Sequence, residues 1–412
     1  MISKRNFLYA AVIALCTPLT IFSFGGTDIP LSDIVCLIGM ILSVKYSKYM
    51  YTRVLYIVIL LCLLSSLVIA FGVNKDFDMR TIYSIAYFFK PYFSIFVAFY
   101  LVKNIDDFDI FFKIATNIIF IVTVQIVFSI IVNNNGLVRN ESDLNGQIFG
   151  MSLYGTYGVN SLAVYYLLLY FIVLYSKYLS FPLSRYYRFA RFTTLILLSY
   201  LILASLSREA ILGYFSLLMW YVYSNKASYF QKIIITLLIS GGLIFLFSLD
   251  STTEMLASKT TQIVEGIEEG DFDKITSGRL GLQLVAWDQF SQNIFFGNGF
   301  HGFQLYTQEI LGFETVEGLS PHNQYVTTFW KMGVIPAIPY ILSLVLLFKM
   351  LRLIHNTDRY IFFRAFLVVV FFILASVWDV LMIPNFAALL FFVWGCMINS
   401  AFSSAKDMNE TA

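Results

Sequence analysis

A 412-residue chain that is 59% hydrophobic and only 13% charged is not built like a soluble protein, in which about a quarter of residues carry charge. Its formal net charge of +2 argues against a nucleic-acid partner. All four cysteines (Cys16, Cys36, Cys62 and Cys396) lie inside apolar runs, which argues against a disulfide framework and against a zinc site.

Repeated apolar runs of about 20 residues are long enough to cross a hydrocarbon core of roughly 30 Å. Bare backbone amides are not tolerated in lipid, so such runs fold as helices, and the alternating pattern of an outer-membrane barrel is missing. The expected fold class is therefore an all-α polytopic membrane protein. In chain order, spans are predicted over residues 7–24, 29–44, 54–72, 81–102, 110–132, 153–175, 192–206, 209–224, 232–249, 323–348, 361–378 and 382–402. The start, with Lys4 and Arg5 before an apolar stretch, resembles a signal sequence without a small-residue cleavage site, and reads as a retained first span. With twelve spans and both termini cytoplasmic, eighteen of the 27 basic residues fall on inner flanks, as the positive-inside rule requires.

This divides the chain into three parts. Residues 1–249 hold transmembrane helices one to nine. Residues 250–322 form a large outer loop with interfacial helices, and residues 323–412 hold spans ten to twelve and a short tail. The loop carries eleven acidic residues and three basic ones, Lys259, Lys274 and Arg279. Connections of that length are usually functional or disordered, and Trp287, Phe290, Phe295, Phe296, Phe300 and Phe303 predict that this one folds.

Three constellations stand out. Ser207-Arg208-Glu209-Ala210 lies between two spans of about 16 residues, each roughly 24 Å of helix, so the hairpin tip is expected below the headgroups. An arginine at that depth meets an anion such as a lipid-linked phosphate, or forms a local pair with Glu209. Arg279 opens a predicted surface helix whose Leu280, Leu284 and Trp287 share a face, running up to the Gly297-Asn298-Gly299 turn. A cation gains nothing from the dipole at a helix start, which leaves an anion site or a plain surface arginine. In Ser320-Pro321-His322-Asn323, Ser320 can cap and Pro321 fits the first helical position, so His322 is expected in the first turn. There a neutral imidazole could accept a proton, or be structural. Gly333 is expected on the same helix face, opening a groove before Pro336 and Pro339 break the helix.

Weaker candidates are His301 after the glycine turn and His355 on an inner flank. Lys90, in mid-span, either snorkels or binds phosphate. The Asp271-Phe272-Asp273 stretch could hold a divalent metal, but its charge-rich surroundings read as solvated surface.

Arg208 in its hairpin tip, Gly278-Arg279-Leu280 before Trp287, Gly297-Asn298-Gly299-Phe300, and His322-Asn323 followed nine residues later by Gly333 occur in the order found in the O-antigen ligase/polymerase superfamily, which the chain resembles over roughly residues 190–350. The resemblance implies a GT-C-like bacterial inner-membrane glycosyltransferase, inverting and metal-independent, with no cofactor. Its donor would be an undecaprenyl-diphosphate-linked oligosaccharide. By the same analogy Arg208 and Arg279 hold the diphosphate, and His322 accepts the proton of the attacking hydroxyl or orients it. Lys90, Trp287, His301, Asn323 and Gly333 are the further residues expected to bind substrate, and membrane lipid is a further expected partner. Pro336, standing where ligases usually carry a second glycine, favours a surface-polysaccharide polymerase, with a chain-length regulator as an implied partner. A ligase transferring finished glycan to lipid A-core is the alternative. A flippase for lipid-linked sugars fits less well, since it predicts charged residues along several spans and a repeated architecture.

Overall fold

The computed structural model describes residues 4–24, 27–46, 50–75, 79–134, 147–148, 151–152, 159–179, 184–205, 207–224, 233, 279–300, 321–352, 358–377 and 379–410. Among these, six helices are long and apolar enough to cross a membrane: Thr52–Val73, Ser84–Leu101, Ile105–Val132, Asn160–Tyr178, Arg185–Ala204 and Val334–Leu351. Shorter apolar helices cover Glu209–Val222, Tyr360–Leu374 and Asn385–Ser400. The chain is a multi-pass helical membrane protein.

The first expected span is not one helix. Helix α1 (Lys4–Cys16) is 13 residues long, about 20 Å, and stops before Thr17-Pro18. Proline has no N–H to continue the ladder and pushes the preceding residue out of helical geometry. The chain turns instead into an antiparallel hairpin, β1 (Thr20–Phe24) and β2 (Thr27–Pro30), pairing Phe22 with Ile29 and Phe24 with Thr27. Helices α2 (Ser32–Tyr46), α3 (Met50–Val68, extended by a π-turn to Val73), α4 (Met79–Leu101) and α5 (Ile105–Asn134) follow near their predicted positions. The start of α5 is set by Asn104, whose side chain accepts from the Asp107 amide at 2.8 Å. A short pairing of β3 (Gln147–Ile148) with β4 (Met151–Ser152) precedes α6 (Val159–Tyr175), α7 (Arg185–Ala204) and α8 (Arg208–Ser224). The ninth expected span, 232–249, falls outside the described residues apart from residue 233.

Beyond the loop come α9 (Arg279–Gln292), α10 (Gln324–Met332) and α11 (Val334–Arg352). Then α12 (Asp358–Val368) runs through a π-turn to Val377, and α13 (Pro384–Glu410) closes the chain. The tenth expected span is thus two helices, parted at Gly333 and not at the prolines. Pro336 sits in the first turn of α11, where its missing N–H costs no bond, and Pro339 is accommodated within the helix.

α6 is buried at every position from Leu162 to Ser176, which is why its sequence is apolar all round rather than on one stripe. Lipid chains give apolar helices no drive to associate, so close approach of backbones matters most. Gly39 lets α2 lie against the Phe93 carbonyl of α4, and Gly395 lets α13 meet Ile95 and Ala98 of the same helix. Polar ties reinforce the contacts: Ser94 Oγ donates to the Ala388 carbonyl (2.8 Å), and Asn385 Nδ2 donates to that of Thr17 (2.8 Å).

Candidate functional site

The site is framed by a clamp that the glycine-rich motifs build. α10 is nine residues long, the length of the interval between Asn323 and Gly333. Asn323 is its N-cap, with Oδ1 accepting from the amides of Tyr325 (3.0 Å) and Val326 (3.2 Å). Gly333 is its C-cap, at φ +66°, ψ −177°, a region open essentially to glycine alone. The Gly297-Asn298-Gly299 turn docks on that end. The Asn298 and Gly299 amides donate to the Trp330 and Lys331 carbonyls (2.8 and 3.2 Å), and the Val334 amide donates to the Ile294 carbonyl (2.8 Å). Exit of α10 and entry of α11 are therefore both satisfied by the segment following α9. Gly333 opens no groove, contrary to expectation, because the Gly297 backbone fills the space beside it: a Cβ there would lie 2.4 Å from the Gly297 nitrogen.

α9 packs on α10 through Leu282, Ala286 and Trp330, and the Trp330 indole donates to Gln289 Oε1 at 2.7 Å. Its other face carries exposed Leu284 and Trp287. Trp287 also packs on Phe290 of its own helix, with ring centroids 5.2 Å apart and the planes tilted by 42°.

His322 is not in the first turn. It precedes the cap at Asn323 and holds φ +49°, an unusual conformation for a side chain of its size. The cap belongs to Asn323 because its short amide reaches two orphan amides at once. Its Nδ2 also donates to the Ser376 carbonyl (2.9 Å). Three more bonds tie α10 to the π-turn of α12 and to the stretch after that helix: Tyr325 hydroxyl to the Phe371 carbonyl, Thr327 Oγ1 to Asp379 Oδ1 (2.7 Å), and the Leu381 amide to Gln324 Oε1 (3.0 Å).

Arg279, at the start of α9, forms an ion pair with Glu209, the second residue of α8, joining positions 70 apart in sequence. Glu209 is buried and also accepts from Ser207 Oγ (3.0 Å). The Arg279 side chain remains 28% exposed against 5% for Glu209, so the pair with Glu209 does not enclose the guanidinium. The sequence offered Arg208 as an alternative partner for Glu209. The backbone of Arg208 opens α8, but its side chain lies outside the described residues.

His322 lies in the field of these groups. Burial holds its imidazolium below the usual range; Asp379 opposes that shift, Arg279 adds to it and Glu209 opposes it. The neutral, proton-accepting form is thus favoured. Asp379 is buried and offers a second oxygen, Oδ2, that has no hydrogen-bond partner among the described residues. Lys331, at the far end of α10, donates to the Phe300 carbonyl at 2.7 Å.

The structure thus brings together Arg279, His322 and Asn323 and adds Glu209, Asp379, Thr327 and Lys331, none of which the sequence reading assigned a role in the site. Asp379 did carry a signal: an acid within the apolar run 361–402 is costly unless it has work to do. Lys90 stands apart, its ammonium 2.8 Å from the Asp33 carboxylate, where it links α4 to α2. His301, His355 and the Asp271–Asp273 stretch lie outside the described residues. Among those described, no group of three or more metal-ligating side chains occurs.

In a comparison with known families, residues 193–341 fit the model described as O-antigen ligase, from α7 into α11. That interval contains Arg208, Glu209, Arg279, His322, Asn323 and Gly333, while Asp379 lies beyond it. A search of curated proteins gives no match.

Proposed function

We propose that this chain, whose residues 193–341 match the family model described as O-antigen ligase, is a member of the O-antigen ligase/polymerase superfamily and a surface-polysaccharide polymerase working at the outer face of a bacterial inner membrane. The family acts on lipid-linked oligosaccharides. In our reading the donor is a glycan on undecaprenyl diphosphate, and the acceptor is a sugar hydroxyl of the next lipid-linked repeat unit. The hydroxyl oxygen attacks the anomeric carbon, the bond from that carbon to the diphosphate oxygen breaks with inversion, and the hydroxyl proton passes to His322. The leaving diphosphate gathers negative charge, which Arg279 meets, with Arg208 as a second cation.

The observation that carries the reading is the Arg279–Glu209 pair beside a histidine held neutral. A cation fixed before the reaction stabilises developing charge without reorganising during it. Glu209 supplies the fixing. A general base contributes typically 10²- to 10⁴-fold, and Asp379 is placed to steady the imidazolium once the proton has arrived. We further assign the termini to the cytoplasm, the fold to a GT-C-like class, and chain-length control to a separate protein.

The description of the matching family favours a second reading, ligation of finished glycan to lipid A-core. Pro336 is our reason for preferring polymerisation. Deleting the gene and displaying surface lipopolysaccharide on a gel separates the two. Core bearing a single repeat unit supports polymerase; bare core with long polymer left on the carrier lipid supports ligase. An unchanged ladder would remove both.

A further inference from the structure

At the end of α7 remote from Glu209, a groove of about 560 Å³ runs between α6, α7 and α8. Its floor and walls along α7 and α8 are apolar, with Phe192, Leu195, Ile196, Leu218 and Val222, and its mouth carries Arg188 and Arg191 beside Tyr221. None of the described lining residues is acidic. The volume is that of a small-molecule site. From Arg188 to Ser199, the polar residue at the deep end, is eleven residues of helix, roughly 16 Å, or about half of a 30 Å hydrocarbon core. The groove is thus as long as one leaflet is thick, apolar along its length and cationic where that leaflet's headgroups lie.

The two arginines are not equivalent. Arg191 donates to the Val173 and Leu174 carbonyls (3.3 and 3.4 Å), covering the C-terminal carbonyls of α6. Arg188, one turn earlier, is exposed; its amide donates to the Ser184 carbonyl (3.0 Å), and its guanidinium makes no polar contact with the other described residues. Lys177 adds a third cation, its ammonium 4.6 Å from the ring centre of the groove-lining Tyr221. A neutral lipid would need only the apolar walls. Three cations gathered at the mouth of an apolar slot match a phosphate that carries an acyl chain.

We propose that this groove binds an anionic phospholipid of the leaflet bordering the Arg185 end of α7, with its phosphate at Arg188 and one acyl chain along Leu195 and Leu218. The site is separate from the one at Glu209 and Arg279 and would persist if the glycosyltransferase reading failed.

The test uses the full chain, purified in detergent and titrated with phosphatidylglycerol, with phosphatidylcholine of the same chains, and with glycerol phosphate, retained lipid being read by native mass spectrometry. Phosphatidylglycerol should be retained in preference to both. Arg188→Gln should weaken it about fivefold, in line with one basic residue at a lipid surface, and Arg188→Lys should restore most of it. Leu195→Trp, which fills the slot, should reduce retention while Arg188 remains; size-exclusion elution reports folding of each variant. Equal retention of the two lipids, binding of glycerol phosphate as strong as that of the lipid, or full retention in Arg188→Gln would each overturn the proposal.

Discussion

Replacing Gly333 by alanine tests the clamp that positions His322. Two costs add. The residue sits at φ +66°, ψ −177°, where a Cβ is strained by about 1–3 kcal/mol. That Cβ would also lie 2.4 Å from the Gly297 nitrogen and 2.5 Å from the Phe295 oxygen, both backbone atoms that cannot rotate aside. Relief requires the turn to back away, which gives up bonds such as Asn298 amide to Trp330 carbonyl, each worth about 0.5–1.5 kcal/mol. The expected total is about 3–5 kcal/mol. Gly299→Ala is the internal control. It too has positive φ (+93°), but its nearest neighbour is the Asn74 side-chain amide at 3.2 Å, which can swing away, so its cost should stay near the backbone term of about 1–2 kcal/mol. Unfolding of both variants in nanodiscs, followed by tryptophan fluorescence, gives the two values side by side. Equal losses, or a Gly333→Ala protein as stable as the parent, would show that the packing of Gly333 on Gly297 is not what holds α10 in place.

Two further outcomes follow from the same geometry. Burial and Arg279 lower the pKa of His322 while Asp379 raises it, so the acid limb of the transfer rate should lie below the ordinary histidine value of about 6.5. Asp379→Asn removes a raising charge and should move that limb to still lower pH in whatever activity remains; a limb displaced upward contradicts the assignment. Because the folded-state pKa is depressed, the associated stability is present above the unfolded value and is lost as pH falls through the folded one. Asn323→Ala forfeits the α10 cap and should cost about 1–2 kcal/mol, whereas Asn323→Asp keeps the acceptor and should cost less. Chemical unfolding compares the pair, and a larger loss in the aspartate variant argues against the cap.

Most of the helices were legible because crossing a membrane forces long apolar runs, and a helix occupies each expected position from 29–44 to 209–224. Two features escaped. Hydropathy cannot tell β1 and β2 from helix, because Thr20–Phe24 is as apolar as a span; only Pro18 marks the end of α1. The split at Gly333 was hidden because apolar content continues unbroken through it, and the break lies in a backbone angle. At the site, Arg279 and His322 were visible as polar residues at helix starts. Their partners were not, since Glu209 is 70 residues from Arg279, and Asp379 is 52 residues from the Thr327 hydroxyl that it accepts. Spacing in sequence says nothing about contacts at that range. Capping was misassigned at Ser320 for a simpler reason: Pro321 offered a plausible first position, yet Asn323 reaches two amides at once.

The central claim is that Arg279 serves the leaving diphosphate and is more than a tie between α8 and α9. Arg279→Ala alone is ambiguous, because it leaves the buried Glu209 charge unpaired and can unfold the protein. The decisive measurement is glycan transfer from a polyprenyl-diphosphate donor by the Arg279→Ala/Glu209→Gln double variant, with its stability measured alongside. The double change removes both charges, so stability should return towards that of the parent while transfer stays at least about 10²-fold down, the usual loss when a preorganised charge-stabilising group is removed. Recovery of transfer together with stability would contradict the account and leave the pair a structural bridge.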